Sequence, residues 1–456
     1  MSRLLVRHAR IVATMDDARR EISDCDILID GPVISRVGPR LEAPGAEVLD
    51  ASGCVVLPGF VNTHNHSFEA LYRAVPGMQD ARFDRWSDYF AKLWIERPMS
   101  PEAAQAAARV NFAEMVLTGT TLSADQHYLY PPGQPPEFVD RAIAAAAEVG
   151  LRYQPSRGCL TLGRSRGGLV ADESTQPEDV VLRHAEALIA RYHDPRPLAM
   201  VRIDLAPVGI YADSEAIFRQ MRALAAAHPG VRLATHIHEA VDVDFTLARY
   251  GVRPVEFLAR VGWLAPDVVL YHVTHPPLTD AEITQLAASG AHVSHALASD
   301  LRLGWGLTRV RDLLDAGAHV CLGTTGPASN LGGDLLTEAQ LVLLAHRVHA
   351  LEPARWLTAR ETLWLATRAG ARALGRDDLG SIEPGKGADL AVFAVETIDR
   401  AGHHDPVAAL LFTGSSHFTR ATIVNGRVVA RDGRLLCFDQ ERAVREANAW
   451  ARRMAG

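Results

Sequence analysis

Two histidines one residue apart, in Thr63-His64-Asn65-His66, close an apolar run. Residues two apart on a strand share a face, so at a strand end both imidazoles can reach one ion. The pattern recurs along the chain. Ala234-Thr235-His236-Ile237-His238-Glu239, Tyr271-His272 and Ser294-His295 each end a strand-like run, and Gly323-Thr324-Thr325-Gly326 ends another. A buried histidine in a core needs a partner and is usually solitary. Four histidine-bearing strand ends therefore point to a metal centre; a lone His-x-His would not.

The elements that must position these residues are legible in outline. Apolar runs at residues 55–66, 120–127, 152–156, 201–208, 232–236, 268–272, 291–295 and 318–325 alternate with helical segments at 101–117, 137–149, 178–192, 214–227, 255–261, 280–289 and 310–315. Eight βα repeats predict an α/β fold, a (β/α)8 TIM barrel, whose chemistry sits at the C-terminal ends of its strands. Short strands at 4–13, 26–29, 33–37 and 47–50 find counterparts at 389–393, 422–424 and 427–430, the last two joined by Asn425-Gly426. These predict a small β-sandwich domain built from both chain ends. Residues 1–54 and 379–456, the latter with a terminal helix, would flank a barrel at 55–378. Residues 164–177 read as a surface loop and 375–386 as a linker.

Composition narrows the function. With 456 residues, 48% hydrophobic and 22% charged, the chain can bury a large core, which excludes disordered and fibrous classes. A net charge of -7 gives no drive toward nucleic acid or an anionic membrane, so no nucleic-acid or membrane partner is expected and a neutral or cationic small molecule fits better. Cys25, Cys54, Cys159, Cys321 and Cys437 form no CxxC pair and read as reduced, mostly buried thiols. No run approaches the ~20 apolar residues of a membrane span, and a cytoplasmic protein is expected. The absence of G-x-S-x-G and of a strand-to-helix G-x-G-x-x-G counts against a serine hydrolase and a nucleotide cofactor.

Residues 56–66 (Val-Leu-Pro-Gly-Phe-Val-Asn-Thr-His-Asn-His), His236, His272, Ala328-Ser329-Asn330 and residues 382–390 resemble the deaminase and chlorohydrolase branch of the amidohydrolase superfamily over the whole chain. Ala124-Asp125-Gln126-His127, Arg302-Leu303-Gly304-Trp305-Gly306 and residues 323–330 resemble the triazine hydrolases within it. Most of that branch has a metal-binding aspartate where this chain has Thr325; the triazine hydrolases share the threonine. The resemblance implies His64, His66 and His236 as ligands of one Zn2+ per chain, with Fe2+ or Ni2+ also compatible with histidine ligands. It implies Glu239 as proton donor and acceptor, and His272 at the metal or its water. A homodimer is also expected from it.

The implied reaction is hydrolysis at an electrophilic C=N carbon. Glu239 protonates the nitrogen and an amine, ammonia, chloride or thiol leaves. An s-triazine-like or guanidine- or guanylurea-like nitrogen-rich small molecule is the expected substrate. For Glu239 to act beside His236, the strand must end near Ile237, since strict alternation puts the two on opposite faces. His238 could wall the pocket or sit in an exposed loop. Gln126 and His127 could contact substrate or brace the core. Trp86, Trp305, Tyr89 and Phe83 could stack on a flat heterocycle or simply pack. Thr325 faces the same mouth, and Asn330 is expected to brace its loop. Two alternatives stand beside this reading: an aromatic-base deaminase for a guanine-like substrate, which Thr325 counts against, and a noncatalytic scaffold, which has no use for the full histidine and glutamate set.

Overall fold

The computed structural model describes residues 3–349, 352–415 and 417–455, without the side chains of 349 and 455; Met1 and Ser2 of the opening segment lie outside it. Among the described residues, eight parallel strands form one sheet: Phe60–Asn62, Thr120–His127, Arg152–Cys159, Asp204–Pro207, Leu233–Ile237, Val268–His272, His292–His295 and His319–Leu322. They pair in chain order. The last meets the first through Thr63 N to Leu322 O (3.1 Å) and Thr325 N to His64 O (2.8 Å), which closes the barrel. Helices such as Pro101–Leu117, Glu178–Tyr192, Asp280–Ser289 and Val310–Asp315 fall where the periodicity put them.

The two chain ends join in a mixed nine-stranded sheet. Its apolar core takes Val6, Ile27 and Val56 from the first end and Leu390, Val392 and Ile423 from the other. Asn425 and Gly426 make the expected tight turn with φ of 52° and 74°, between the paired residues Val424 and Arg427. A buried ion pair ties this sheet to the barrel: Arg152, at the start of the third barrel strand, donates to both oxygens of Asp389 at 2.7 and 3.1 Å.

The first apolar run divides at Gly59. Cys54–Pro58 pairs with Leu390–Ala394 and Arg3–Ala13 in the end sheet, whereas Phe60–Asn62 enters the barrel. The crossing needs glycine, because a Cβ there would fall 2.2 Å from the Thr121 side chain. Helices Phe83–Glu96, Asp242–Tyr250, Leu335–His349 and Pro406–Phe412 add to those the periodicity indicates. Leu335–His349 is apolar nearly all round, which hides the 3.6-residue period.

Candidate metal and substrate site

The His64 backbone sits in the closing seam. Asn62 holds the seam by donating to Thr324 Oγ1 (2.8 Å) and accepting from Thr324 N (3.0 Å). Two residues on, Asp125 braces the Asn65 to Ser67 segment around His66, accepting from Ser67 N (2.8 Å) and Asn65 Nδ2 (3.1 Å). His66 and His236 are oriented alike: each donates from Nδ1 to a backbone carbonyl, that of Gln126 (2.9 Å) and Val208 (2.7 Å). Their Nε2 atoms then carry no proton and face one another at 3.3 Å. Both ring nitrogens of His64 are buried with no hydrogen-bond partner among the described residues. Two lone pairs facing each other and an orphaned buried imidazole fit a cation between them. One ligand atom each from His64, His66 and His236 lie within 4.8 Å of one another, and the same holds for His236, Glu239 and His272.

Electrostatics favour the ligand form. Burial, then the neighbouring imidazoles, push His64 and His236 well below the usual histidine range and hold His66 at about 3. Neutral imidazole is what a metal needs.

The fifth strand ends at Ile237, as the His236 to Glu239 spacing requires. His238 then takes a positive φ of 56°, turning the chain so that Glu239 enters the cavity beside His236. Positive φ recurs at His272 (65°) and Thr325 (52°); such backbone strain clusters at functional sites. Glu239 accepts from Tyr211 OH at 3.1 Å. Burial, then the charge of Asp242, pushes its pKa well above the usual carboxyl range. His272 Nδ1 lies 2.7 Å from Asp300 Oδ1, while Asp300 Oδ2 accepts from Thr274 Oγ1.

His66, His236, Glu239, His272 and Thr325 line a cavity of about 580 Å3, walled in part by Phe83, Trp86 and Trp305. Tyr89 lies over Gly77 instead. Gln126 and His127 are not brought to the cavity. Gln126 donates to Ala206 O (2.9 Å) and Pro207 O (3.2 Å), and His127 donates to Leu129 O and stacks on Phe138 at 4.7 Å. Both side chains brace the barrel top, Gln126 through its amide nitrogen Nε2 alone, its Oε1 being buried with no partner among the described residues. His238 is fully buried, bonded to Pro276 O and 3.3 Å from Glu282, so it is neither pocket wall nor exposed loop. Asn330 braces its loop through Thr324 O and Gly332 N.

Glu69, Tyr128, Tyr211 and Asp300 are the residues that sequence reasoning missed. Glu69, Tyr128 and Tyr211 line the cavity. Glu69 is buried beside Tyr128, its pKa raised by burial to about 8. Their only signal was a polar side chain shortly beyond a barrel strand, which many structural residues share.

Residues 55–429 match the amidohydrolase family, to which the chain belongs. It is a hydrolase of that superfamily. It is 36% identical over 400 residues to an 8-oxoguanine deaminase of Pseudomonas aeruginosa, covering 87% of each chain. It is 33% identical over 457 residues to an isoxanthopterin deaminase from an unknown prokaryotic organism, covering 94% of this chain and 92% of that one. Among solved structures it superposes on atrazine chlorohydrolase TrzN from Arthrobacter aurescens TC1, complexed with zinc, with a TM-score of 0.95 and 39% identity over 98% of this chain and all of the other. No helix among the described residues is long and apolar enough to cross a membrane.

Proposed function

We propose that the chain is a zinc-dependent hydrolase that displaces an amine or ammonia, or alternatively chloride or a thiol, from the C=N carbon of an s-triazine-like or guanidine- or guanylurea-like compound. The observation that carries this reading is the clustering of three buried neutral imidazoles, His64, His66 and His236, with a carboxyl group that burial keeps protonated, Glu239, which lines one cavity together with His66 and His236. His64, His66 and His236 would hold the zinc. Bound there, zinc supplies Lewis acidity that lowers the pKa of its water to ~7.

The chain's own groups do the rest. Glu239 keeps its proton because burial and Asp242 disfavour the carboxylate, and Tyr211 fixes its orientation. It gives that proton to the substrate nitrogen, which makes the adjacent carbon more electrophilic; the carboxylate left behind takes a proton from the attacking water as the C–O bond forms and passes it to the departing group as the bond from carbon to that group breaks. His272, held by Asp300, points its other nitrogen to the cavity and orients the attacking water. Phe83, Trp86 and Trp305 enclose a flat ring and exclude bulk solvent.

A second reading, deamination of a guanine-like base, draws on the two deaminase relatives. Thr325 in place of the branch's usual aspartate favours the first. Ammonia, amine and chloride release from triazines, guanylurea and guanine analogues by the zinc-loaded enzyme separates them: release from the bases alone would replace the first reading by the second.

A further inference from the structure

Of the four histidine-bearing strand ends, that of His295 joins neither the imidazole cluster nor the cavity wall. The ring is fully buried and bridges two other elements. Its Nδ1 faces Asp300 Oδ2 at 3.5 Å, an ion-pair distance, and has no hydrogen-bond partner among the described residues. Its Nε2 lies 3.1 Å from Nε2 of His346, on helix Leu335–His349. Asp300 is the group that holds His272. Four buried side chains therefore run in series from the cavity wall to that helix: His272, Asp300, His295 and His346.

Geometry fixes where the protons of this series sit. Two Nε2 atoms 3.1 Å apart share one proton, so one ring donates and the other accepts. A bare Nδ1 on His295 would set a buried lone pair against a buried carboxylate, whereas an N–H there is attracted to it. His295 therefore carries a proton on Nδ1, leaves Nε2 bare and accepts from Nε2–H of His346. The same helix steadies Asp300 a second time. Glu338 Oε1 accepts from Ala298 N (3.1 Å) in the first turn of Leu297–Arg302, the six-residue helix that carries Asp300.

We propose that His295 and His346 are positioning residues for the reaction: Nε2–H of His346 fixes the tautomer of His295, whose Nδ1–H holds Asp300 Oδ2, and the carboxylate holds His272 at the attacking water. Neither touches substrate, and the inference rests on the role given to His272 above. Once His346 can no longer donate, nothing keeps the proton of His295 on Nδ1, and Asp300 loses one of the contacts that orient it. Asp300 Oδ2 still accepts from Thr274 Oγ1 at 2.7 Å, so the carboxylate is loosened rather than released.

Two variants of the zinc-loaded full chain test this. His346→Leu removes the donor, and His346→Gln restores one on a neutral side chain. His346→Leu should lower kcat ~10-fold with KM and zinc content unchanged, the lower end of what losing an outer partner costs, and His346→Gln should recover most of that loss. A His346→Leu chain with the wild-type kcat, or a His346→Gln chain no better than His346→Leu, overturns the proposal. A second measurement needs no substrate. Nitrogen–proton correlation spectra of the wild type, its histidines labelled with the heavy nitrogen isotope and the His295 signals assigned by their loss in His295→Asn, report which ring nitrogen carries the proton. Nδ1–H at His295 is expected, moving toward Nε2–H in His346→Leu. Nε2–H at His295 in the wild type overturns the proposal even where His346→Leu fails to fold. Nδ1–H in a chain that turns over none of the compounds supports the hydrogen-bond series and removes the reading of the reaction, so the two fail separately.

Discussion

His272 and Asp300 form a buried pair: Nδ1 of the imidazole donates across 2.7 Å to Oδ1 of the carboxylate. Burial opposes ionisation of Asp300, but the charge and hydrogen bonds of His272 and His295 outweigh it and hold its pKa at about 2. The carboxylate thereby fixes the tautomer and angle of the ring, the way outer partners orient groups at metal centres. Asp300→Asn keeps the shape but loses the charge. Turnover should fall ~10- to 100-fold with zinc content unchanged, as steady-state kinetics and metal analysis on the same preparation would reveal.

Glu239→Gln removes the transferable proton and leaves the volume. Turnover should drop ~10³-fold or more while zinc stays bound; near-normal turnover would remove Glu239 from the mechanism. The sign of the pH effect follows from its raised pKa. The protonated form is the active one, so activity declines as pH rises through that value. Asp242→Asn deletes a charge that raises it and should move the decline to lower pH.

Thr325 Oγ1 lies 3.3 Å from Ser329 Oγ, and its backbone N–H closes the barrel seam. The second role survives truncation. Thr325→Ala should therefore cost no more than about tenfold in kcat/KM, or ~1.4 kcal/mol, far less than the loss of Glu239.

Burial raises Glu338 to about 8 and Asp213 to about 7. The folded chain thus keeps protons that the unfolded chain releases above pH ~4. By linkage their contribution is intact below that point and is lost as pH rises through 7 to 8. Thermal unfolding should move to lower temperature across this window. Glu338→Gln, which can still accept from Ala298 N, should flatten part of the slope; an unchanged slope would show that Glu338 is ionised when folded.

The barrel was legible because eight apolar runs, most of them closed by polar residues, alternate with helices most of which keep an amphipathic face. His64, His66, His236, Glu239 and His272 stood out for the same reason, as polar residues closing apolar runs. The split at Gly59 did not, since one unbroken apolar run serves two sheets. For Gln126 and His127 the sequence left substrate contact and bracing both open, because whether a polar residue at a strand end gives its hydrogen bonds to neighbouring carbonyls, as both do here, is a choice made by tertiary contact. Asp300, in the short helix Leu297–Arg302, and Tyr211, in a turn, gave little signal because they reach His272 and Glu239 across 28 residues of chain each.

The most direct test is metal content, measured on purified wild type and His64→Ala and paired with product release from triazines, guanylurea and guanine analogues. About one zinc per wild-type chain, lowered occupancy in His64→Ala and release from at least one compound is the expected result. Wild-type protein that takes up no zinc and releases nothing after zinc addition would contradict the account.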